Sequence, residues 1–218
     1  MDKIARIVNR APVIRSAVTS LLMAIECKEG EFSRNGSGEP TTPLREGLLE
    51  TPSRVAKAFA TWFGGYDVDV PGLFKTFEDG AEGCDEMVIV RDIPVYSHCE
   101  HHMAPIIGRA VVGYVPGEKI VGLSKLSRVV DAFARRLQVQ ERLTNQIADA
   151  IAEHLQPRAV FVYIDAKHMC MESRGVKQVC GSSTITRAVR LPSQELGAAL
   201  TQQEVIWRSE FAQACNWA

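Results

Sequence analysis

A chain of 218 residues with 46% hydrophobic side chains can bury a sizeable core without disulfide support. Its 25 Lys plus Arg against 26 Asp plus Glu leave a formal charge of -1, which excludes a global basic field for nucleic acid or anionic lipid, so any phosphate binding must be local. No run approaches the roughly 18 consecutive apolar residues of a membrane helix, and MDKIARIVNR lacks the apolar stretch of a signal peptide. A cytoplasmic protein with neither membrane nor nucleic-acid partner is expected, its six cysteines available as thiols.

Over residues 13–25 the apolar positions Val13, Ile14, Ala17, Val18, Leu21, Leu22 and Ile25 recur at helical spacing and predict a first amphipathic helix. The polar, Gly/Ser/Pro-rich stretch KEGEFSRNGSGEPTTPLREG then reads as a loop. Thr51 as N-cap and Pro52 at the first helical position open a second helix, whose stripe of Val55, Ala56, Phe59 and Phe63 ends at Gly64-Gly65.

From Met87 the texture turns to strand, in MVIV, GRAVVGYVP, AVFVYID and SSTITRAV, all rich in β-branched residues. Between the second and third of these lie two long helical patterns, with Leu126, Val129, Val130 and Phe133 in one and Leu143, Ile147, Ala150 and Ile151 in the other. Hairpin-linked strands with grouped helices predict an α+β fold on a mostly antiparallel sheet. The expected division is an N-terminal helical region over residues 1–85 and a catalytic domain over 86–218.

The densest chemistry is the run Ser97-His98-Cys99-Glu100-His101-His102. Cys99 and His102 stand at the Cys-x-x-His spacing that lets one turn of backbone deliver two zinc ligands, and His168-Met169-Cys170, ending a strand pattern, offers a third. Three protein ligands rather than four leave an open position for water, whose pKa a bound zinc lowers to about 7. Taken singly, a Cys or His is more often a buried thiol or a hydrogen-bonded ring than a ligand; the clustering of four of the five histidines with two cysteines reverses that and favours the metal.

The segment Gly122 to Arg128 opens the third helix with Ser124 as N-cap, and Lys125 and Arg128 project from adjoining turns, an arrangement suited to polyphosphate and equally to an ordinary basic helix start. At Gln140-Glu141-Arg142 a carboxylate beside an amide could read the donor edge of a guanine; a solvated helix face has the same letters. Arg54 and Arg174 are open in the same way.

Together, LLETPSRVAKA, SHCEHHMAPIIGRAVVGYVP, GLSKLSRVVDAFARRLQVQERLT and IDAKHMCMESRG, in that order, resemble the type I GTP cyclohydrolase family over residues 47–187. The resemblance implies a zinc-dependent enzyme of the tunnelling fold: an antiparallel sheet with two long helices on one face, preceded by an N-terminal helical region, and assembled as a homo-oligomer, commonly a decamer, with sites at subunit interfaces. It implies that Cys99, His102 and Cys170 hold Zn2+, and that zinc-bound water attacks C8 of GTP. His168 would protonate the neighbouring imidazole nitrogen and His101 assist the ribose ring oxygen. Formate loss, an Amadori-type rearrangement and closure to 7,8-dihydroneopterin triphosphate would follow. Ser124, Lys125 and Arg128 would bind the triphosphate, with Arg174 and Arg54 as further contacts, and Glu141 with Gln140 would meet the guanine edge.

Two positions depart from the family pattern: His98 adds an imidazole beside the zinc cysteine, and Cys180 adds a thiol near Cys170. A binding module without turnover is disfavoured by the intact His101 and His168. A relative that uses a cysteine nucleophile and no zinc is disfavoured by the triad of metal ligands.

Overall fold

The computed structural model describes residues 9–26, 35–36, 44–84, 86–178, 184–192 and 199–215; Cys180 lies outside them. Two compact units divide between Asp67 and Val68.

In the first unit, α1 (Ala11–Glu26) and α2 (Thr51–Trp62) are the two expected helices. Pro52 sits in the first turn of α2, where its missing N–H breaks no helical bond. Glu50 takes the cap position and Thr51 is already helical, one residue away from the expected start, and Thr51 makes no capping bond. Phe59 meets Phe63 edge-on at 5.0 Å between ring centroids. On α1 Met23 is buried, whereas Val13, Leu21 and Ile25 are exposed.

The second unit carries a two-stranded ladder, β1 (Thr76–Phe77) with β4 (Ile120–Val121), and a five-stranded sheet. That sheet is built from β2 (Val88–Cys99), β3 (Pro105–Val115), β5 (Leu137–Gln138), β6 (Ala159–His168) and β7 (Thr184–Arg190), in the order β5-β2-β3-β6-β7. Every pairing is antiparallel except β2 with β5, where His98 faces Leu137 and Cys99 faces Gln138. Helices α3 (Leu123–Ala134) and α4 (Gln140–Leu155) separate the two long hairpin pairs, giving the α+β arrangement expected.

The strand alternation assigns the faces. Val112, Tyr114, Val162 and Ile164 point to one side and share a core with Leu126, Val129 and Val130 of α3 and Leu143, Ile147 and Ile151 of α4, so both long helices cover one face. Their neighbours Val111, Val115, Phe161 and Tyr163 point to the other side. There they pack under α6 (Gln202–Ala214), which presents Trp207 and Phe211, followed by Cys215, at four-residue intervals. Burial pushes the Cys215 thiol up to about 11, an inert position for a thiol. Helix α6 lies beyond the region where the sequence pattern predicts elements, and its start carries a full capping box between Thr201 and Glu204.

Two local features fix register. Gly108 on β3 lies so close to β6 that a Cβ would fall 2.1 Å from the Asp165 carbonyl oxygen. A bulge between Val90 and Ile93 on β2 puts Asp92 at a φ of 56°, where its carboxylate accepts from Arg109 at 3.1 Å. Among the described residues no helix is long and apolar enough to cross a membrane.

Candidate metal centre and active site

Strand β2 ends at Cys99, and the chain must reverse within five residues to start β3 at Pro105. The reversal is a closed turn: the Cys99 N–H donates to the Ala104 carbonyl at 2.8 Å, the Met103 N–H donates to the Cys99 carbonyl at 2.7 Å, and Met103 takes a φ of 53°. This folds His102 back over Cys99, with Nδ1 3.9 Å from the Cys99 sulfur. Register supplies the third group. Ile106 pairs with His168, so the end of β6 lies beside the start of β3, and Cys170 follows on the four-residue helix α5 (Met169–Glu172).

The ligand atoms of Cys99, His102 and Cys170 thus all lie within 4.8 Å of one another, with Cys99 buried, Cys170 half-buried and His102 exposed. Burial, and after it the hydrogen bond and charge of Cys99, push the Cys170 thiol up. On the far side of the His102 ring, Arg174 Nη1 donates to Nε2 at 2.7 Å. His98 is not in this group: it is 8% exposed, and burial alone pushes its pKa down.

His168, the last residue of β6, is half-buried beside this cluster. Burial pushes its pKa down, and the nearby Glu141 carboxylate opposes that. Its Nε2 lies 2.7 Å from Gln140 Oε1. Gln140 begins α4 and is 1% exposed, with its amide nitrogen donating toward the Ile164 and Thr184 carbonyls at 3.1 and 2.7 Å and Thr186 Oγ1 at 3.1 Å. Instead of standing beside Glu141 at the surface, the Gln140 side chain is turned inward.

A second tie joins the turn to α4. Both terminal nitrogens of Arg142 donate to Glu100 Oε2 at 2.7 Å, and the Glu100 N–H donates to the Gln138 carbonyl at 3.0 Å. His101, 62% exposed, has its Nδ1 3.8 Å from the Cys99 sulfur and its Nε2 3.8 Å from Glu100 Oε1.

A family model described as GTP cyclohydrolase I matches residues 38–205. The chain belongs to the GTP cyclohydrolase I family. It is 58% identical over 147 residues to the GTP cyclohydrolase 1 of Nitrosospira multiformis, covering 67% of this chain and 76% of that one. It is 60% identical over 145 residues to that of Janthinobacterium sp., with 66% and 73% covered. The corresponding protein of Allorhizobium ampelinum is 56% identical over 144 residues, with 66% and 71% covered.

In this GTP cyclohydrolase I family member, the residues expected to hold substrate fall in several places. Glu141 is exposed on the first turn of α4, next to the His168 contact. Ser124 and Arg128 are exposed and Lys125 half-buried at the start of α3, where Gly122 takes the cap position and Ser124 makes no capping bond, so the expected capping role passes from Ser124. Arg54, in the first unit, pairs with Glu50 one turn earlier on α2. A separate cleft of about 770 Å³, lined by Glu78, Glu82, Cys84, Glu118 and Arg158, lies at the opposite end of β3 and β6 and contains none of these residues.

Two elements of the site have no counterpart among the sequence expectations: the Glu100–Arg142 pair and the threonine shell around Gln140. The first joins motifs 42 residues apart, so no local pattern announces it. The second depends on β7, whose threonines carry no mark in the sequence of what they face.

Proposed function

We propose that this chain is a zinc-dependent GTP cyclohydrolase, converting GTP and water to formate and 7,8-dihydroneopterin triphosphate. The observation that carries the reading is the convergence of two thiols and one imidazole within 4.8 Å, with a half-buried histidine beside them. Soft thiolates with an imidazole suit zinc, and three protein donors leave a coordination position open. When bound by Cys99, His102 and Cys170, zinc supplies Lewis-acid activation of water for hydrolysis at C8 of the purine.

The chain's own groups then have distinct tasks. His168 moves a proton at the imidazole nitrogen next to C8, and His101, exposed on the turn, serves the ribose ring oxygen. Glu141 accepts from the donor edge of guanine, while Gln140, turned inward, meets the His168 ring and not the base. Ser124, Lys125, Arg128 and Arg174 neutralise the triphosphate, and Arg54 reaches a neighbouring subunit's site. After ring opening and formate release, the sugar undergoes an Amadori-type rearrangement and closes the second ring. The working form is a cytoplasmic homo-oligomer, a decamer with sites at subunit interfaces.

The test is to incubate metal-quantified protein with GTP, following formate and the fluorescence of the oxidised pterin, with and without a zinc chelator. Both products, lost on chelation, are expected. Stoichiometric zinc with neither product overturns the assignment.

A further inference from the structure

We propose that Gln140 is a positioning residue for His168: it holds the ring proton on Nε2 and leaves Nδ1 as the nitrogen that exchanges protons with substrate. This rests on the acid-base role of His168 proposed above, and it goes further by naming the atom and the group that selects it.

The argument runs outward from the backbone. The Ile164 and Thr184 carbonyl oxygens, 3.1 and 2.7 Å from one end of the Gln140 amide, can only accept hydrogen bonds. That end must therefore be the NH2 group, and the opposite end, facing His168, must be the carbonyl oxygen. Oε1 can only accept, so the ring nitrogen 2.7 Å away must carry a hydrogen. In the neutral ring Nε2–H then implies a bare Nδ1, and in the imidazolium only Nδ1–H is free to leave. The imidazolium gives its Nδ1 proton to the substrate nitrogen and becomes the neutral Nε2–H ring; the reverse transfer restores it. The Nε2–H stays on Gln140 throughout.

The amide has no freedom to invert. Gln140 is 1% exposed, and Thr186 Oγ1 lies 3.1 Å from the same nitrogen. Thr144 Oγ1 donates to the Gln140 main-chain carbonyl at 2.7 Å and lies 2.6 Å from Thr186 Oγ1, which holds that hydroxyl in place against the amide nitrogen. Groups from β6, β7 and α4 thus converge to fix one side-chain orientation, and the remaining end of the amide meets the His168 ring.

The test combines a spectrum and a variant. In protein labelled with 15N-histidine, without GTP and with metal quantified, the His168 ring is assigned by difference against His168→Asn. At a pH where the ring is neutral, Nε2 should show the shift of a protonated nitrogen and Nδ1 that of a bare one; the opposite tautomer overturns the proposal. Gln140→Met keeps the volume and removes both polar ends. It should mix the two tautomers and lower kcat about 10- to 100-fold, with KM for GTP within about twofold and zinc per chain unchanged. Unchanged kcat, or a lower kcat with the tautomer intact, overturns the positioning role. Should that variant fail to fold, the wild-type spectrum still decides. The expected tautomer in a protein that releases no formate from GTP would defeat the proposed activity and leave the positioning standing.

Discussion

Cys170 contributes one sulfur to the metal group and little to the core, since it is half-buried on a helix of four residues at the margin of the helix-side cluster. Replacing it with alanine should therefore separate metal binding from folding. Cys170→Ala is expected to lose zinc and formate release together while its melting temperature stays within a few degrees, read by metal analysis and thermal denaturation; stoichiometric zinc in the variant would remove Cys170 from the ligand set. The Cys99 and His102 half of the candidate metal group was legible in the sequence because its geometry is local: a Cys-x-x-His pair needs only one tight turn, and Met103 at positive φ closes it. Gln140 was not legible in the same way. The letters Gln-Glu-Arg suit a solvated helix face, and what turns the amide inward is a pair of carbonyls on β6 and β7, at positions 164 and 184.

The elements divide by the strength of their periodicity. Helices α3 and α4 carry continuous apolar stripes and fall where the pattern puts them, as do β3 and β6, whereas β2 runs on from the expected MVIV through Pro94 to Cys99. Strand β5 has two residues, too few for any period, and its parallel pairing with β2 exists because the turn out of α3 delivers Leu137 and Gln138 beside His98 and Cys99. Helix α6 escaped for another reason. Val205 and Ile206 are exposed next to the buried Trp207, and the charged Glu204 is itself buried, which blurs the stripe and leaves Trp207, Phe211 and Cys215 as the apolar marks of the covered side. Phe211 stacks on Phe161 of β6 at 5.3 Å between centroids, so its ring closes the second face of the sheet. Phe211→Ala should cost about 3–5 kcal/mol of unfolding free energy, measured by denaturant titration, with zinc content retained. A loss below about 1 kcal/mol would show that α6 leaves that face without destabilising the sheet.

At the scale of the whole molecule the question is whether metal holds the protein together or only serves its chemistry. In the second unit two apolar layers, one on each face of the sheet, are built from residues of β2, β3, β6, α3, α4 and α6, and only Cys99 and Cys170 of the metal group touch either layer. Layers of this size stabilise the sheet without coordination bonds, unlike a small zinc-nucleated domain whose fold is made by the metal. Removing zinc by chelation should thus abolish formate release and lower the melting temperature, because a ligand bound only by the native state contributes stability by mass action. The chelated protein should nevertheless keep its far-ultraviolet circular dichroism and melt cooperatively. Collapse of the dichroism on chelation would instead make the site structural, and the open coordination position inferred from its three protein donors would have to be filled by a fourth.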